Sequence, residues 1–291
     1  MWTPEDVVGT LRERGELWEA AAGLVGLRGD VLRLHHALAQ AIARLAAAET
    51  DDEWLVPAGL GFDTLVRAGY FQSFPQWLTA ASHLSSDPGV LEWVATDADP
   101  AAAARRALAP ADAALAPAVC YHVYVRLAGR TLAAGRAKVL TAQATCWRHE
   151  GERLAPLGRG WAFTMREIVC VGSLEAVEAF RQRGMRRATG LAEALGLGGA
   201  VVQASDPFFA PTARGKALLQ QLKVLKEELM LGGLAAASFN NHETFFGDAF
   251  GIRLESGAAA ASACVAFGLE RWTLAFLVAH GPDAAGWPVV D

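Results

Sequence analysis

The chain has 291 residues, of which 53% are hydrophobic and 20% are charged, a composition typical of a packed globular protein rather than a disordered or fibrous one. Its 26 Lys and Arg against 31 Asp and Glu give a formal net charge of −5, which argues against a protein that coats nucleic acid. The longest apolar run, 257–269, ends at Glu270 and is shorter than the ~20 residues that a membrane-spanning helix needs. The first residues lack the basic and apolar segments of a signal peptide, so we expect a cytoplasmic protein.

Hydropathy period and capping signals predict the elements in chain order. Thr3-Pro4 begins a first helix, and an apolar face at helical spacing predicts a second helix over 29–48. From Cys120 the apolar period changes to two, which predicts strands, followed by a helix that Ser173 caps. The predicted elements are strands over 120–127, 138–150 and 161–171, a helix over 173–195, a strand over 199–204, a helix over 212–221, a strand pair over 223–231 and 234–240, and a C-terminal helix that ends at 280.

The order of these elements predicts the fold class. Strand hairpins with few βαβ crossovers indicate an α+β fold, with an antiparallel β-sheet flanked by helices. Because no internal repeat or low-complexity linker divides the chain, we expect a single domain over 1–291. Residues 1–50 are expected to form a helical segment, whose longest predicted helix of about 20 residues would span ~30 Å.

The third predicted strand carries one charge on an otherwise apolar face. Alternation places Glu167 on the same face as Phe163 and Met165. A buried carboxylate needs an ion-pair partner or a metal, because an unpaired buried charge is costly, and both interpretations stay open. The cysteines lack C-x-x-C spacing, so each is either a small buried residue or a metal ligand: Cys120, Cys146, Cys170 and Cys264.

Polar residues near strand ends are candidates for ligand contacts. Arg148 and Glu150 lie at the edge of a polar ten-residue loop, where an arginine could hold phosphate or form a surface ion pair. Arg271 lies in the first turn of a helix and opposes the helix dipole, which an anionic ligand would offset. Asn240 begins a polar stretch after a predicted strand, where it lines a site or belongs to a capped turn.

Several segments resemble, in order, the motifs of class II aminoacyl-tRNA synthetases. The stretch Cys146-Trp147-Arg148-His149-Glu150, followed by a loop and 163–169, looks like motif 2, and 264–272 looks like motif 3. Further similar blocks are 70–75, 205–209 and 238–242. The sequence most resembles the truncated seryl-tRNA synthetase homologues known as amino acid:[carrier protein] ligases, over about 20–280.

The resemblance implies a zinc site and an ATP site. The implied Zn²⁺ ligands are Cys120, Glu167 and Cys264, with a fourth position open for the α-amino group of the substrate. The implied ATP contacts are Arg148 at the α-phosphate as the catalytic arginine, Glu150 at the adenine amino group, Phe163 and Arg271 on the two faces of adenine, and Arg159 near the γ-phosphate. Mg²⁺ is expected with ATP, and the implied amino-acid site consists of Glu167, Asp206 and Asn240.

The resemblance also implies a reaction and a partner. A small amino acid, glycine or alanine, is activated as aminoacyl-adenylate and transferred to the phosphopantetheine thiol of a carrier protein, with no nucleic acid or membrane as partner. An acidic carrier needs a basic docking face, for which Arg214 and Lys216 on the predicted helix 212–221 are one candidate. The other candidate is the basic cluster of Arg181, Arg183, Arg186 and Arg187. A homodimer is expected, formed through residues within 55–125.

Two alternatives remain. The first is a zinc-dependent seryl-tRNA synthetase. Enzymes of that family carry a long two-helix N-terminal arm that binds tRNA, and we expect the helical segment of residues 1–50 to be too short for such an arm; the net charge argues against tRNA as well. The second is a non-catalytic paralogue that binds nucleotide or carrier protein. The presence of Arg148, Glu167 and Arg271 argues against that one.

Overall fold

A computed structural model describes residues 2–133, 135–209 and 223–290. Within these ranges the α-helices are α1 (Pro4–Glu13), α2 (Gly29–Ala47), α3 (Phe62–Arg67), α4 (Tyr70–Ser73), α5 (Pro88–Thr96), α6 (Pro100–Arg106), α7 (Cys120–Leu127), α8 (Leu174–Ala194), α9 (Phe245–Phe250) and α10 (Leu269–His280). The strands are β1 (Leu17–Ala21), β2 (Leu24–Leu27), β3 (Glu53–Trp54), β4 (Gly59–Gly61), β5 (Ala80–Ala81), β6 (Ala113–Leu115), β7 (Thr131–Leu132), β8 (Lys138–Trp147), β9 (Ala162–Gly172), β10 (Gly199–Gln203), β11 (Lys226–Leu231), β12 (Leu234–Asn241), β13 (Arg253–Leu254) and β14 (Ala261–Gly268). In this part of the chain no helix is both long enough and apolar enough to cross a membrane.

The first two helices begin and pack as the sequence predicts. Thr3 accepts a hydrogen bond from the Asp6 N–H, and the Asp6 side chain accepts one from the Thr3 N–H, which together cap α1. Helix α2 buries one apolar face through Val31, Leu34 and Leu38. A β-hairpin of β1 and β2, which the sequence analysis did not anticipate, connects the two helices.

The main sheet has the order β10-β11-β12-β14-β9-β8-β3 among the described strands. Its neighbours are antiparallel, except for the short β3, which runs parallel to β8. The predicted α+β fold, an antiparallel sheet flanked by helices, is therefore confirmed.

The two faces of the sheet have different neighbours. On one face, Ile168, Val265 and Phe267 pack into an apolar core with residues of α2, α8 and α10. On the other face, Val169 and Cys264 belong to a second apolar cluster with α7 and α9. Helices α7 and α9 leave part of this second face uncovered, and the cavity described below lies there.

The predicted strand over 120–127 is wrong, because these residues form helix α7. Aromatic and β-branched residues favoured a strand, and Tyr121, Val123 and Val125 alternate with period two. Helical spacing fits the same segment, since Cys120, Val123, Tyr124 and Leu127 are all buried. In an eight-residue segment the two periods cannot be separated without the tertiary neighbours, and packing against α9 decides for the helix.

Candidate active site

One cavity brings together the predicted site residues that the structure describes. Its volume is about 220 Å³, and it lies on the second face of the sheet. The predicted residues that line it are Cys120, Arg148, Glu150, Arg159, Phe163, Glu167, Asp206, Asn240, Cys264 and Arg271. The predicted docking residues Arg214 and Lys216, with the helix 212–221, lie outside the described residues.

Strand register explains how distant segments reach this cavity. Cys264 of β14 pairs with Val169 of β9 on one side and with Asn240 of β12 on the other. Directly paired antiparallel residues point to the same face, as do residues two apart on one strand. Glu167 and Phe163 therefore share the face of Cys264, as the alternation of the third predicted strand indicated.

Cys120, Glu167 and Cys264 form a buried cluster of potential metal ligands. One ligand atom from each lies within 4.8 Å of the others. Glu167 is 1% exposed, and its Oε1 accepts a hydrogen bond from the Val119 N–H at 2.9 Å. Its Oε2 is buried and has no hydrogen-bond partner within the described residues. Two sulfurs and an oxygen that lacks a partner fit a tetrahedral Zn²⁺ site with three protein ligands.

The electrostatics of this cluster reflect its burial. Burial raises the pKa of Glu167 to about 8, the nearby Cys264 sulfur acts in the same direction, and the Val119 N–H opposes both. A hydrogen bond from the Cys120 thiol lowers the pKa of Cys264 and raises the pKa of Cys120. The charged forms of these groups thus need a partner, and a divalent cation would supply one.

Polar groups surround the sulfur of Cys264. Asn240 Nδ2 donates to Cys264 Sγ at 3.4 Å, and His242 Nε2 lies 3.8 Å from the same sulfur. His242 Nδ1 lies 3.1 Å from both the Tyr124 hydroxyl and the Ser262 hydroxyl. Either hydroxyl can donate to the single lone pair of Nδ1, and in that tautomer the Nε2–H faces the sulfur. Sequence reasoning assigned no role to His242, although it belongs to the polar stretch that begins at Asn240.

The other two cysteines, for which the resemblance implied no role as ligands, are core residues. Cys146 packs with Met165 and Ala266 in a small buried cluster. Cys170 lies on the opposite face of the sheet and belongs to the main core. Neither belongs to the ligand cluster found among the described residues.

Arg148 is held by backbone and aromatic rings rather than by a carboxylate. Its Nε donates to the Pro117 carbonyl at 2.9 Å, and its Cζ lies 5.3 Å from the Phe163 ring centroid and 5.5 Å from that of Trp77. Across the ranges that the structure describes, no carboxylate is ion-paired with Arg148. A guanidinium without a carboxylate partner, in a cavity, is suited to binding an anion.

Arg271 is a second arginine without a carboxylate partner among the residues described. Its Nε donates to the Gly158 carbonyl at 2.8 Å and its Nη1 to the Ala235 carbonyl at 3.0 Å. Burial lowers the pKa of Arg271, and the positive charges of Arg148 and Arg159 lower it further. The three arginines therefore concentrate positive charge, which an anionic ligand would relieve.

The remaining arginine of the cavity is paired. Arg159 Nη1 lies 2.7 Å from Glu150 Oε2, and Arg153 Nη2 lies 3.8 Å from the same oxygen. A carboxylate has about four acceptor positions, so Glu150 can bind Arg159 and still accept from another donor.

Asp206 contacts a buried lysine that sequence reasoning missed. Lys226 Nζ lies 2.5 Å from Asp206 Oδ1 and 3.1 Å from Glu228 Oε1. Burial lowers the pKa of Lys226, but the two carboxylates outweigh it, so the net direction is upward and the ammonium is retained. Alternation along the strand could have indicated Lys226, because Lys226 and Glu228 lie two residues apart on β11 and both line the cavity.

The rival basic cluster is largely neutralised. Arg181 is buried and pairs with Glu178 and Glu227. Arg183 and Arg187 both pair with Glu49. These contacts connect elements of the fold, and they argue against a basic docking face at this position.

Solved structures define the class of the fold. The chain matches the SerRS of M. kandleri, solved in complex with A. aeolicus tRNASec, with a TM-score of 0.88 and 21% identity, over 98% of this chain and 59% of that one. It also matches the seryl-tRNA synthetase of Pyrococcus horikoshii, solved with ATP, with a TM-score of 0.69 and 14% identity, over 96% and 60%. The fold is therefore that of the class II aminoacyl-tRNA synthetases.

Sequence relatives identify the family, although no protein-family model matches the chain. An amino acid--[acyl-carrier-protein] ligase of Bradyrhizobium diazoefficiens is 36% identical over 231 residues, which are 77% of this chain and 69% of that protein. A type-2 serine--tRNA ligase of Methanococcus aeolicus is 26% identical over 253 residues, 81% of this chain but 48% of that protein. The chain belongs to the family of amino acid--[acyl-carrier-protein] ligases, and it is an enzyme of the ligase class.

Proposed function

We propose that this protein activates a small amino acid with ATP and transfers it to the phosphopantetheine thiol of a carrier protein. One observation carries the proposal: a single cavity is lined both by the Cys120–Glu167–Cys264 cluster and by arginines without carboxylate partners. The ligand cluster suits an amino acid that is bound through its amine, and the arginines suit a nucleoside triphosphate. ATP itself is suggested by the bound ATP of the Pyrococcus horikoshii structure.

In the first step, a carboxylate oxygen of the amino acid attacks the α-phosphorus of ATP, and pyrophosphate leaves. Two anions must approach each other, so positive charge fixed around the phosphorus lowers the barrier. Arg148 is proposed to bind the α-phosphate and to stabilise the charge that develops on it. Its guanidinium is already oriented by Pro117 and by two rings, which makes reorganisation during the step small.

The rest of the nucleotide is assigned to neighbouring side chains. Phe163 and Arg271 are proposed to enclose adenine, and Glu150 to accept from its amino group. Arg159 is proposed to bind the γ-phosphate, for which it can exchange its contact with Glu150. Mg²⁺ is proposed to accompany ATP, because the triphosphate carries more charge than the arginines alone would offset.

The amino acid is proposed to bind beside the ligand cluster. Zn²⁺ held by Cys120, Glu167 and Cys264 would accept the α-amine at its open fourth position. Asn240 contacts Cys264 and Asp206 lines the same cavity, so both are proposed to position the amino acid. We propose glycine or alanine as the substrate, and a difference of one methyl group is worth only about 1–3 kcal/mol of discrimination.

In the second step, the phosphopantetheine thiol gives its proton to water and its sulfur attacks the acyl carbon, and AMP leaves as the acyl–oxygen bond breaks. The carrier protein as acceptor is suggested by the name of the Bradyrhizobium relative. Docking through Arg214 and Lys216 remains a proposal, as do a single catalytic domain over 1–291, a homodimer formed through 55–125 and a cytoplasmic location.

The runner-up function is that of a zinc-dependent seryl-tRNA synthetase. The chain spans about half the length of the serine--tRNA ligase relative, which is 26% identical over the matched residues. The 36% identity to the carrier-protein ligase favours the carrier as acceptor.

The test of activation is amino-acid-dependent exchange between ATP and labelled pyrophosphate, measured with zinc present for each of the twenty amino acids. We expect exchange with glycine or alanine and its loss in Arg148→Ala. Arg136→Ala, an exposed arginine outside the cavity, is the matched control and should retain exchange. Exchange with serine together with charging of tRNA would favour the runner-up, and no exchange with any amino acid would favour a non-catalytic paralogue.

A further inference from the structure

Two aromatic residues of the cavity wall bury polar atoms that have no partner. The Tyr70 hydroxyl and the Trp77 Nε1 are buried, and neither has a hydrogen-bond partner among the described residues. Tyr70 is 2% exposed and Trp77 is 8% exposed, and both line the cavity. A buried polar group without a partner costs stability, so such groups in a folded protein need an explanation.

One other side-chain atom of the cavity wall is also buried without a hydrogen-bond partner among the described residues. Of the buried atoms without a partner in the described ranges, the cavity-lining ones are the Tyr70 hydroxyl, Trp77 Nε1 and Glu167 Oε2. The Glu167 oxygen is an acceptor and fits a metal, as argued above. The Trp77 N–H can only donate and the Tyr70 hydroxyl also carries a hydrogen to donate, so a ligand that presents acceptor atoms would satisfy both.

Both rings pack against the ring of Phe74. Phe74 stacks on Trp77 with ring centroids 5.4 Å apart, and it lies 5.8 Å from the Tyr70 ring. Phe74 also stacks on Phe208, with ring centroids 5.1 Å apart. This aromatic packing holds both donors in place before any ligand binds, which lowers the entropy cost of binding.

The donors lie beside Arg148. The Arg148 Cζ is 5.5 Å from the centroid of Trp77, and the positive charge of Arg148 acts on the Tyr70 hydroxyl. Because a guanidinium only donates, Arg148 cannot accept a hydrogen bond from the Tyr70 O–H or from the Trp77 N–H. Burial raises the pKa of Tyr70 to about 12, so the hydroxyl keeps its proton and can donate it in a hydrogen bond.

We propose that the Tyr70 O–H and the Trp77 N–H donate hydrogen bonds to the aminoacyl-adenylate, at the acyl-phosphate junction beside Arg148. The inference rests on the proposed function, in which Arg148 binds the α-phosphate. The acyl-phosphate junction is rich in acceptors, since it carries the carbonyl oxygen and the oxygens of the phosphate. Both residues would then contact the group that the thiol attacks, and both would hold the adenylate until the carrier arrives.

The test removes each donor and keeps an aromatic ring. Tyr70→Phe deletes only the hydroxyl, and Trp77→Phe deletes the indole N–H. The ligand is a non-hydrolysable aminoacyl-sulfamoyl adenosine that carries the amino acid activated by the wild-type protein. Two quantities are measured for each variant: the Tm without ligand and the Kd of the analogue. Trp287→Phe is the matched control, because its N–H donates to the Gly281 carbonyl at 2.8 Å and it does not line the cavity.

The expected pattern separates a ligand contact from a structural role. Tyr70→Phe should keep or raise the Tm without ligand, because the lost donor had no partner, and should weaken analogue binding roughly tenfold or more. Trp77→Phe should weaken binding by a similar factor. Trp287→Phe should instead lower the Tm and leave the Kd unchanged, since it loses a hydrogen bond of the fold.

Several results would overturn the inference. Wild-type Kd values in both Tyr70→Phe and Trp77→Phe would show that the donors do not reach the adenylate. Unchanged Kd with slower thioester formation would assign the donors to the phosphopantetheine arm instead. Failure of the wild-type protein to bind any analogue is a different outcome, because it would contradict the proposed function itself.

Discussion

Glu167→Gln should remove a pH-dependent loss of stability from the metal-free protein. Burial, with the Cys264 sulfur, raises the pKa of Glu167 in the folded protein to about 8 from an ordinary 4.5. Between these values the unfolded chain has lost the carboxyl proton while the folded protein still holds it, so the free energy of unfolding falls as pH rises. The expected slope is about 1.4 kcal/mol per pH unit, or at most roughly 3 kcal/mol between pH 5 and pH 7.5.

The measurement is urea denaturation of chelator-treated, reduced protein at pH 5 and pH 7.5. Glutamine keeps an oxygen for the Val119 N–H but cannot titrate, so the stability of wild type relative to Glu167→Gln should fall between the two pH values. Glu92→Gln, at an exposed position of α5, should follow the wild-type profile. Added zinc should reverse the loss in wild type, by about 2.7 kcal/mol at a concentration one hundred times its Kd. Parallel pH profiles for wild type and Glu167→Gln would refute the reasoning.

The other predictions concern metal, nucleotide and acid stability. Cys264→Ala should lose bound zinc, measured by elemental analysis, whereas Cys146→Ala should keep about one zinc per chain, and full occupancy in the first variant would contradict the ligand set. Arg148→Ala should slow adenylate formation by roughly 10²–10³-fold, whereas Arg271→Ala should mainly raise the KM for ATP, and wild-type values in both would contradict the nucleotide assignment. Burial lowers the pKa of His35 in the folded protein from 6.5 to about 4, so between these values only the unfolded chain takes up the proton. The free energy of unfolding should therefore fall as pH drops from 6.5 towards 4. Urea denaturation should show a smaller fall for His35→Gln than for wild type.

Period-two alternation predicted β9, an inner strand of the main sheet, and the residues on one of its faces. The pattern around Glu167 placed this carboxylate on the apolar face, and β9 has that orientation. The local pattern is sufficient here because successive side chains of a strand point alternately to its two faces. The same reasoning failed at Cys120, where a short apolar segment fits both a strand and a helix.

The assembly of the candidate site could not be predicted from local pattern alone. Cys264 and Glu167 approach each other through the register of β14 against β9, and Cys120 reaches them from α7. Both relations depend on tertiary packing, and only the family resemblance indicated them beforehand. Nor does any local signal show that the Tyr70 hydroxyl and the Trp77 indole are buried without partners, because burial is a property of the whole fold.

The central claim is most directly tested by the intact mass of a phosphopantetheinylated carrier protein after incubation with this protein, ATP, Mg²⁺ and glycine or alanine. We expect a mass increase of one aminoacyl group that requires ATP, is absent from the carrier without phosphopantetheine, and is reversed by excess free thiol. The contrary result would be a carrier protein of unchanged mass together with aminoacylation of bulk tRNA. That result would contradict a carrier protein as the acceptor.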